Sequence, residues 1–455
     1  MTEAGGMNGA ELEALKTRLR ELATEAMAAQ TERNLDKAID AYRRMLELAP
    51  GLSEVHSNLG VALFDRGDLD GAVAAFEHAI ALKPQSAEAH SNLGYALQEQ
   101  GRHEEAEEAL RRAIALKEDY AEAYSNLGNL LQQQGRADEA VAALHQATAI
   151  DPGHAKAHNN LAQVLLRGGD YEAGWREYEW RWHSIGLSPR AYPQPRWDGI
   201  PLPGRTILLY AEQGLGDTIQ FVRYVRMVAA LGMTVILEAP TVLAPLFRQC
   251  PATVVESGRA LPPFDVHLPL MSLPLVFGTT VATIPADIPY LNPPGDRVAA
   301  RDLPPAPPGA RRIGFAWGGN PDHPNDRNRS LPYGALARLL DRPDIQAFSF
   351  QLGRNDGHPD APMIDLAPRL NDFADTAAWL AGMDLCISAD TAFAHLAGAM
   401  GKPVWILLPF SPDWRWLRER ADSPWYPTAR LFRQPAPGDW GSVLAAVERA
   451  LDQGL

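Results

Sequence analysis

One short string constrains the first half of this chain. Ser-Asn-Leu-Gly occurs at residues 57–60, 91–94 and 125–128, and Asn-Asn-Leu-Ala follows at 159–162. The step is 34 residues each time. Gly67, Gly101, Gly135 and Gly169 keep the same step, as do Ala72, Ala106 and Ala140, then Ala79, Ala113 and Ala147. Pro84 and Pro152 close two of the units, and Glu118 stands where the middle proline would be. A unit this short cannot bury its own apolar face, so it must stack on copies of itself. Small residues at Gly60, Gly94 and Gly128 let paired helices approach closely, with Leu59, Leu63, Phe76 and Ile80 filling the space between. The glycine near Gly67 ends a helix. The spacing predicts helix pairs from about residue 10 to 170, the first pair a degenerate cap.

A 34-residue helix–turn–helix period with small residues at these places reads as tetratricopeptide repeats. Asn58, Asn92, Asn126 and Asn160 share one position on the first helix of each unit, so stacking would line them along one groove. An amide offers two donors and an acceptor, which suits a peptide backbone whatever its side chains. The alternative is that each asparagine satisfies its own neighbouring helix. Segments such as AEAHSNLG and AEAYSNLG resemble the repeats of the O-linked N-acetylglucosamine transferases. That resemblance implies that the four asparagines hold an acceptor polypeptide. His56, His90, Tyr124 and His158 precede the asparagines by two, a regularity that fits packing or groove residues better than metal ligands.

Composition changes near residue 170. Only Pro50, Pro84 and Pro152 of the 37 prolines lie before residue 171, and all 11 tryptophans lie after residue 174. Residues 1–170 carry a net charge of −11 and the rest −3. This balance argues against a duplex nucleic-acid partner, which needs a basic face. Residues 171–204 contain Tyr171, Trp175, Tyr178 and Trp182 at helix-like steps, the pattern of an aromatic connector that docks the solenoid onto the next domain.

Beyond it the period changes. TILLYA (206–211), TVILEA (234–239) and runs near 252–256 and 264–268 read as strands, with one amphipathic helix over 217–232. Residues 293–311 are proline-rich and predict a stiff, extended linker. The alternation then restarts, with strands at 312–317, 347–352, 384–388 and 403–408 and helices near 332–341, 374–382, 391–400 and 440–453. The expected architecture is an α solenoid (10–170) followed by an α/β GT-B fold. Two facing Rossmann-like domains, 205–292 on the acceptor side and 312–455 on the nucleotide-sugar side, would leave a cleft between their strand ends.

Gly214-Leu215-Gly216-Asp217 is a poor dinucleotide fingerprint, because its third glycine position is Ile219. Its glycines allow close backbone approach, and Asp217 stands at a helix start, where a cap is the ordinary role. EQGLGDTIQFVRY, together with ISADTAFAHLAGAMGKPVWILLP (387–409), is similar to the ADP-heptose:lipopolysaccharide heptosyltransferases of glycosyltransferase family 9. This resemblance implies that Asp217 is the general base and that Asp390, Thr391 and an exposed His395 meet the donor phosphates. Ala392 stands where that family usually has glycine. A helix start after a strand suits phosphate. Around it, the loop 317–330 offers Asn320, Arg327, Arg329 and Ser330, and Gln351 offers a base or ribose contact. The cleft-side loop PDWRW (412–416) carries Trp414, Arg415 and Trp416, with Trp414 either a stacking face or core filling.

These readings lead to a metal-independent, inverting protein glycosyltransferase that needs no cofactor and takes a nucleotide-sugar as co-substrate. Flagellin or another surface protein is the kind of acceptor such an architecture suggests. The rivals are a lipid or polysaccharide sugar transferase and a non-catalytic repeat scaffold. Two cysteines cannot form a disulfide framework, and neither a signal peptide nor a membrane-length apolar run is visible, so the expected setting is cytoplasmic.

Overall fold

The 34-residue step is a helix hairpin in the computed structural model, which describes residues 9–184, 190–321, 326–353 and 363–454. The paired helices are α1 (Gly9–Thr31) with α2 (Leu35–Leu48), α3 (Ser53–Asp65) with α4 (Leu69–Leu82), α5 (Ala87–Glu99) with α6 (His103–Leu116), and α7 (Ala121–Gln133) with α8 (Ala137–Ile150). α9 (Ala155–Gly168) and α10 (Tyr171–Tyr178) follow. Gly67, Gly101, Gly135 and Gly169 all have φ between 78° and 89°, the left-handed conformation that ends a helix without a Cβ penalty. Gly60, Gly94 and Gly128 serve close packing: a Cβ there would lie 2.6, 2.6 and 2.5 Å from Phe76, Leu110 and Leu144. His56, His90 and His158 each set ring Nε2 within 3.1 Å of the carbonyl of Pro50, Pro84 or Pro152, so their regular step is a packing device. Asp68 of the Asp68-Leu69-Asp70 turn caps α4 by accepting from the Gly71 N–H.

The chain divides into two compact units, with the boundary inside α9 between Val164 and Leu165. The aromatic connector therefore belongs to the second unit. There Tyr171, Trp175 and Tyr178 pack on Trp414, Trp175 donates to the Thr279 carbonyl, and Trp425 donates to the Tyr171 hydroxyl.

The second unit holds two all-parallel sheets. β1 (Thr206–Tyr210), β2 (Thr234–Ala239), β3 (Thr253–Glu256) and β4 (Val266–Pro269) lie in the order β3-β2-β1-β4. β5 (Arg311–Ala316), β6 (Ile345–Ser349), β7 (Met363–Asp365), β8 (Leu385–Ala389), β9 (Val404–Leu408) and β10 (Ala429–Arg433) lie in the order β10-β9-β8-β5-β6-β7. β1, β8 and β9 are almost wholly buried, as expected of a parallel sheet covered on its faces.

Two expectations need correction. The helix read as 217–232 is two, Leu215–Phe221 and Tyr224–Ala230, with Arg223 between them. The Arg223 guanidinium is buried and donates to the carbonyls of Gln220, Pro285 and Trp425 and to the Tyr290 hydroxyl, which draws the backbone into a break. The proline-rich stretch is not extended throughout either. Pro294 caps a helix over Gly295–Ala300, and Arg297 anchors it on Asp372 and Asp375. Among the described residues no helix is long and apolar enough to cross a membrane.

Candidate active site

The candidate site is built where strands of both sheets end. β1 runs into the glycine loop and the helix Leu215–Phe221, and β8 runs through Asp390 and Thr391 into the helix Ala392–Ala399. The two helices touch at their N-terminal ends. A Cβ on Gly216 would lie 2.7 Å from His395 Cδ2, so glycine is what permits the approach. Thr391 makes no side-chain cap bond to the first amides of its helix.

Asp217 is both cap and ion pair. Its Oδ2 accepts from the Gly214 N–H at 2.8 Å, and its Oδ1 accepts from Arg415 Nη2. Arg415 is 7% exposed and also donates to Gln220 Oε1 and, at 2.9 Å, to Asp413 Oδ1. Its guanidinium lies over the Trp414 ring, 4.4 Å from the centroid. Trp414, Arg415 and Trp416 were expected together in one cleft-side loop, and it is the arginine that reaches Asp217. Its position in Asp-Trp-Arg-Trp, a charge between two aromatics, was the available signal.

His395 is buried, where an exposed ring was expected. Its Nδ1 meets the Tyr426 hydroxyl at 2.9 Å, its Nε2 lies 3.9 Å from Asp390 Oδ1, and Trp416 stacks on it at 5.4 Å. Burial, and then the charges of Arg415, Arg223 and Arg329, hold its pKa well below the ordinary value, so the ring is neutral. Asp390 is pushed the other way, up to about 6, by burial and then by the Asp413 charge, with Arg415 and Arg329 opposing.

Several expected contacts take other forms. Gln351 is spent on the backbone: Oε1 accepts from the Trp317 and Gly318 amides at 3.0 and 2.9 Å, and Nε2 donates to the Gly318 and Leu352 carbonyls. It clamps the loop after β5 and has no amide group left for a base or ribose. Trp414 is fully buried among Tyr171, Trp175, Tyr178 and Trp425, so it offers no stacking face. Ser330 accepts from the Gly319 amide at 3.2 Å and donates to Asp326 at 2.8 Å, holding the same loop from its other end. Arg329 lies half-buried against Gly319, while Asn320 and Arg327 are exposed.

The glycine loop has its own brace. Glu212 precedes it with a side chain 1% exposed, bound through several contacts to Arg181, which is 2% exposed. Arg181 also reaches Glu179 and Ser272, and Glu212 accepts from the Met271 amide. The connector thus fixes the residue from which the Asp217 loop departs.

In the repeat unit the four asparagines are not equivalent. Asn58 is exposed and Asn92 half-buried. Asn126 is buried, donates to Ser91 and accepts from Lys156 Nζ at 2.9 Å. Lys156 also pairs with Glu122 and covers the Tyr95 ring. Asn160 is half-buried with its Nδ2 sealed from solvent.

Comparisons with known proteins fall on both units. Tetratricopeptide-repeat models match residues 62–101, 97–135 and 125–178. The glycosyltransferase family 9 (heptosyltransferase) model matches residues 351–408, which include Asp390, Thr391 and His395. This chain is therefore similar to tetratricopeptide repeats over 62–178 and to glycosyltransferase family 9 over 351–408, a match that supports glycosyl transfer only in general terms. Protein FlbA of Caulobacter vibrioides is 26% identical over 324 residues, 63% of this chain and 53% of that protein. The chain thus spans about half the length of the curated relative it matches. Among solved structures, MamA shows 28% identity at a TM-score of 0.31, covering 35% of this chain and 94% of that one. PilF of Pseudomonas aeruginosa shows 16% at 0.37, covering 48% and 89%.

Proposed function

We propose that this chain is a protein glycosyltransferase. Its second unit would move a sugar from a nucleotide-sugar to a side-chain hydroxyl, and its repeats would hold the acceptor polypeptide. The observation that carries the reading is the meeting of Asp217, from the end of β1, with Arg415, Asp390 and His395, from the ends of β8 and β9. The two sheets then act as the facing domains of a GT-B enzyme.

In that reading the acceptor oxygen attacks the sugar C1 while the C1–O bond to phosphate breaks. The electron pair leaves with the phosphate oxygen, the hydroxyl proton passes to Asp217, and the configuration inverts. The uncapped amides at the start of helix Ala392–Ala399, with Arg329 nearby, would take up the charge of the departing nucleotide, a task that needs no metal. The neutral His395 acts as a fixed hydrogen-bonding group. For the acceptor, Asn58 and Asn92 are the open amides; Asn126 becomes available when Lys156 moves aside.

The test is a panel of nucleotide-sugars read by nucleotide release and by intact mass of co-expressed acceptor proteins, for wild type and Asp217→Asn. A positioned general base is worth roughly 10²–10⁴ in rate. The variant should therefore still bind nucleotide while transfer falls by about that factor. Wild-type turnover by Asp217→Asn would overturn the assignment. Absence of any donor hydrolysis in wild type would favour a scaffold. The heptosyltransferase description of the matched family favours one other acceptor, a lipid-linked saccharide, so such saccharides belong in the acceptor panel.

A further inference from the structure

Three arginines gather at the loop that carries Arg415, and no role described so far uses them. Arg167 comes from the last turn of α9, Arg418 from the loop itself and Arg433 from the end of β10. All three belong to the second unit. Arg167 donates from Nη1 to Ser411 Oγ at 2.8 Å, and its Nε is sealed from solvent with no acceptor. Arg433 donates to the carbonyls of Arg420 and Trp416. Arg418 is exposed and lies against Gly168, close enough that a Cβ there would be 3.3 Å from its Nη2. Among the described residues, no carboxylate lies within ion-pair distance of any of the three.

The chemistry of this cluster is lopsided. Each guanidinium has five N–H donors and no acceptor. The acceptors supplied are one hydroxyl and two carbonyls. Burial lowers the pKa of Arg167 to about 10, with the charge of Arg418 adding to the effect and that of Asp413 opposing it. Burial, then the charge of Arg167, lowers Arg433 to about 10 as well. Arg167 and Arg433 remain charged at neutral pH, so the protein carries their repulsion. The carbonyl end of α9 offsets part of it at Arg418, but it leaves the Arg167 Nε without a partner. Leu417, the residue before Arg418, is held at φ 54°, in the left-handed region that favours glycine. This turn directs Trp416 inward onto His395 and Arg418 outward toward Gly168. Such backbone conformations persist where the surroundings impose them.

We infer that Arg167, Arg418 and Arg433 form a binding site for an oxyanion, a phosphate or carboxylate group, distinct from the proposed donor site at Asp390 and Arg329. A planar carboxylate or a tetrahedral phosphate supplies the acceptor oxygens and the negative charge that these guanidiniums lack. The site does not depend on the glycosyltransferase reading.

The experiment titrates the full chain with inorganic phosphate, pyrophosphate or succinate and follows tryptophan fluorescence and heat of binding. It compares wild type with Arg418→Gln, Arg167→Gln and Arg329→Gln. Wild type should bind at least one probe saturably. Arg418→Gln, at an exposed position where folding is not at stake, should weaken that binding by about tenfold, the scale of one charge-assisted contact. Arg329→Gln should leave it within about twofold. Binding of phosphate alone or of succinate alone would identify the source of the anion. The inference is overturned if no probe binds saturably. It is equally overturned if binding is unchanged in Arg418→Gln and lost in Arg329→Gln, which would place the anion in the donor site. Loss of donor hydrolysis with intact anion binding would count against the proposed function alone.

Discussion

Asp390 should make the stability of the second unit depend on pH in a way that one substitution removes. Its carboxyl is buried beside Asp413, which raises its pKa to about 6. The unfolded chain returns it to about 3.9. Between those values the folded protein binds more protons than the unfolded one, so folding stability falls as pH rises. The stabilising contribution is complete below about pH 4 and is lost as pH passes through the folded value near 6. A gap of this size corresponds to about 3 kcal/mol at most. Asp390→Asn keeps the shape and removes the ionisation. The variant should exceed wild type by about 1 kcal/mol at pH 4.5 and by about 2–3 kcal/mol at pH 7.5.

Tryptophan fluorescence is the right probe, because all 11 tryptophans lie beyond residue 174 and report on the second unit without the repeats. Urea melts of both proteins at several pH values give a difference curve in which the other titrating groups cancel. A curve flat from pH 4.5 to 8 would refute the argument, since Asp390 would then ionise as it does in water. Asp413→Asn should move the midpoint of the wild-type loss to lower pH, because the Asp413 charge is the second cause of the shift.

Two further perturbations test the packing. Gly128→Ala places a Cβ 2.5 Å from Leu144 Cγ; overpacking costs typically 1–3 kcal/mol and outweighs the ~1 kcal/mol helix-propensity gain of alanine. Far-UV circular dichroism should show the repeats melting earlier, and adding Leu144→Ala should cost less than the sum of the two single changes. Arg181→Met strips the cation from buried Glu212 and half-buried Glu179; loss of one partner of a buried pair costs about 3–5 kcal/mol. It should therefore lower the fluorescence-detected transition, and an unchanged midpoint would show that water already reaches those carboxylates.

What the sequence revealed and what it hid follow from distance along the chain. The repeat was legible because each contact recurs at a fixed step: Gly60 on Phe76, Gly94 on Leu110 and Gly128 on Leu144 are one contact made three times. The apolar strands β1, β8 and β9 were legible because a buried parallel strand is a short continuous apolar run. β7 has three residues, and β10 (Ala429–Arg433) interleaves arginines with apolar residues, so neither gave that signal.

Site residues divide the same way. Gly216, Asp217, Asp390 and His395 sit in local motifs at strand ends, and the fold brings those ends together. The partners that decide what each can do lie far away in sequence. Arg415 is 198 residues from Asp217, and Tyr426 is 31 from His395. Gln351 and Asn126 show why residue type is not enough. The same amide that could read a ligand closes the 317–318 loop in one case, and in the other is held between Ser91 and Lys156. A motif specifies which groups are present, but their chemistry depends on which of their hydrogen bonds the fold has already used. By that measure Asn58 and Asn92 keep the freedom a peptide groove needs. The Asp217 carboxylate holds Gly214 with one oxygen and Arg415 with the other, so a proton it accepts must go to a lone pair that neither bond occupies.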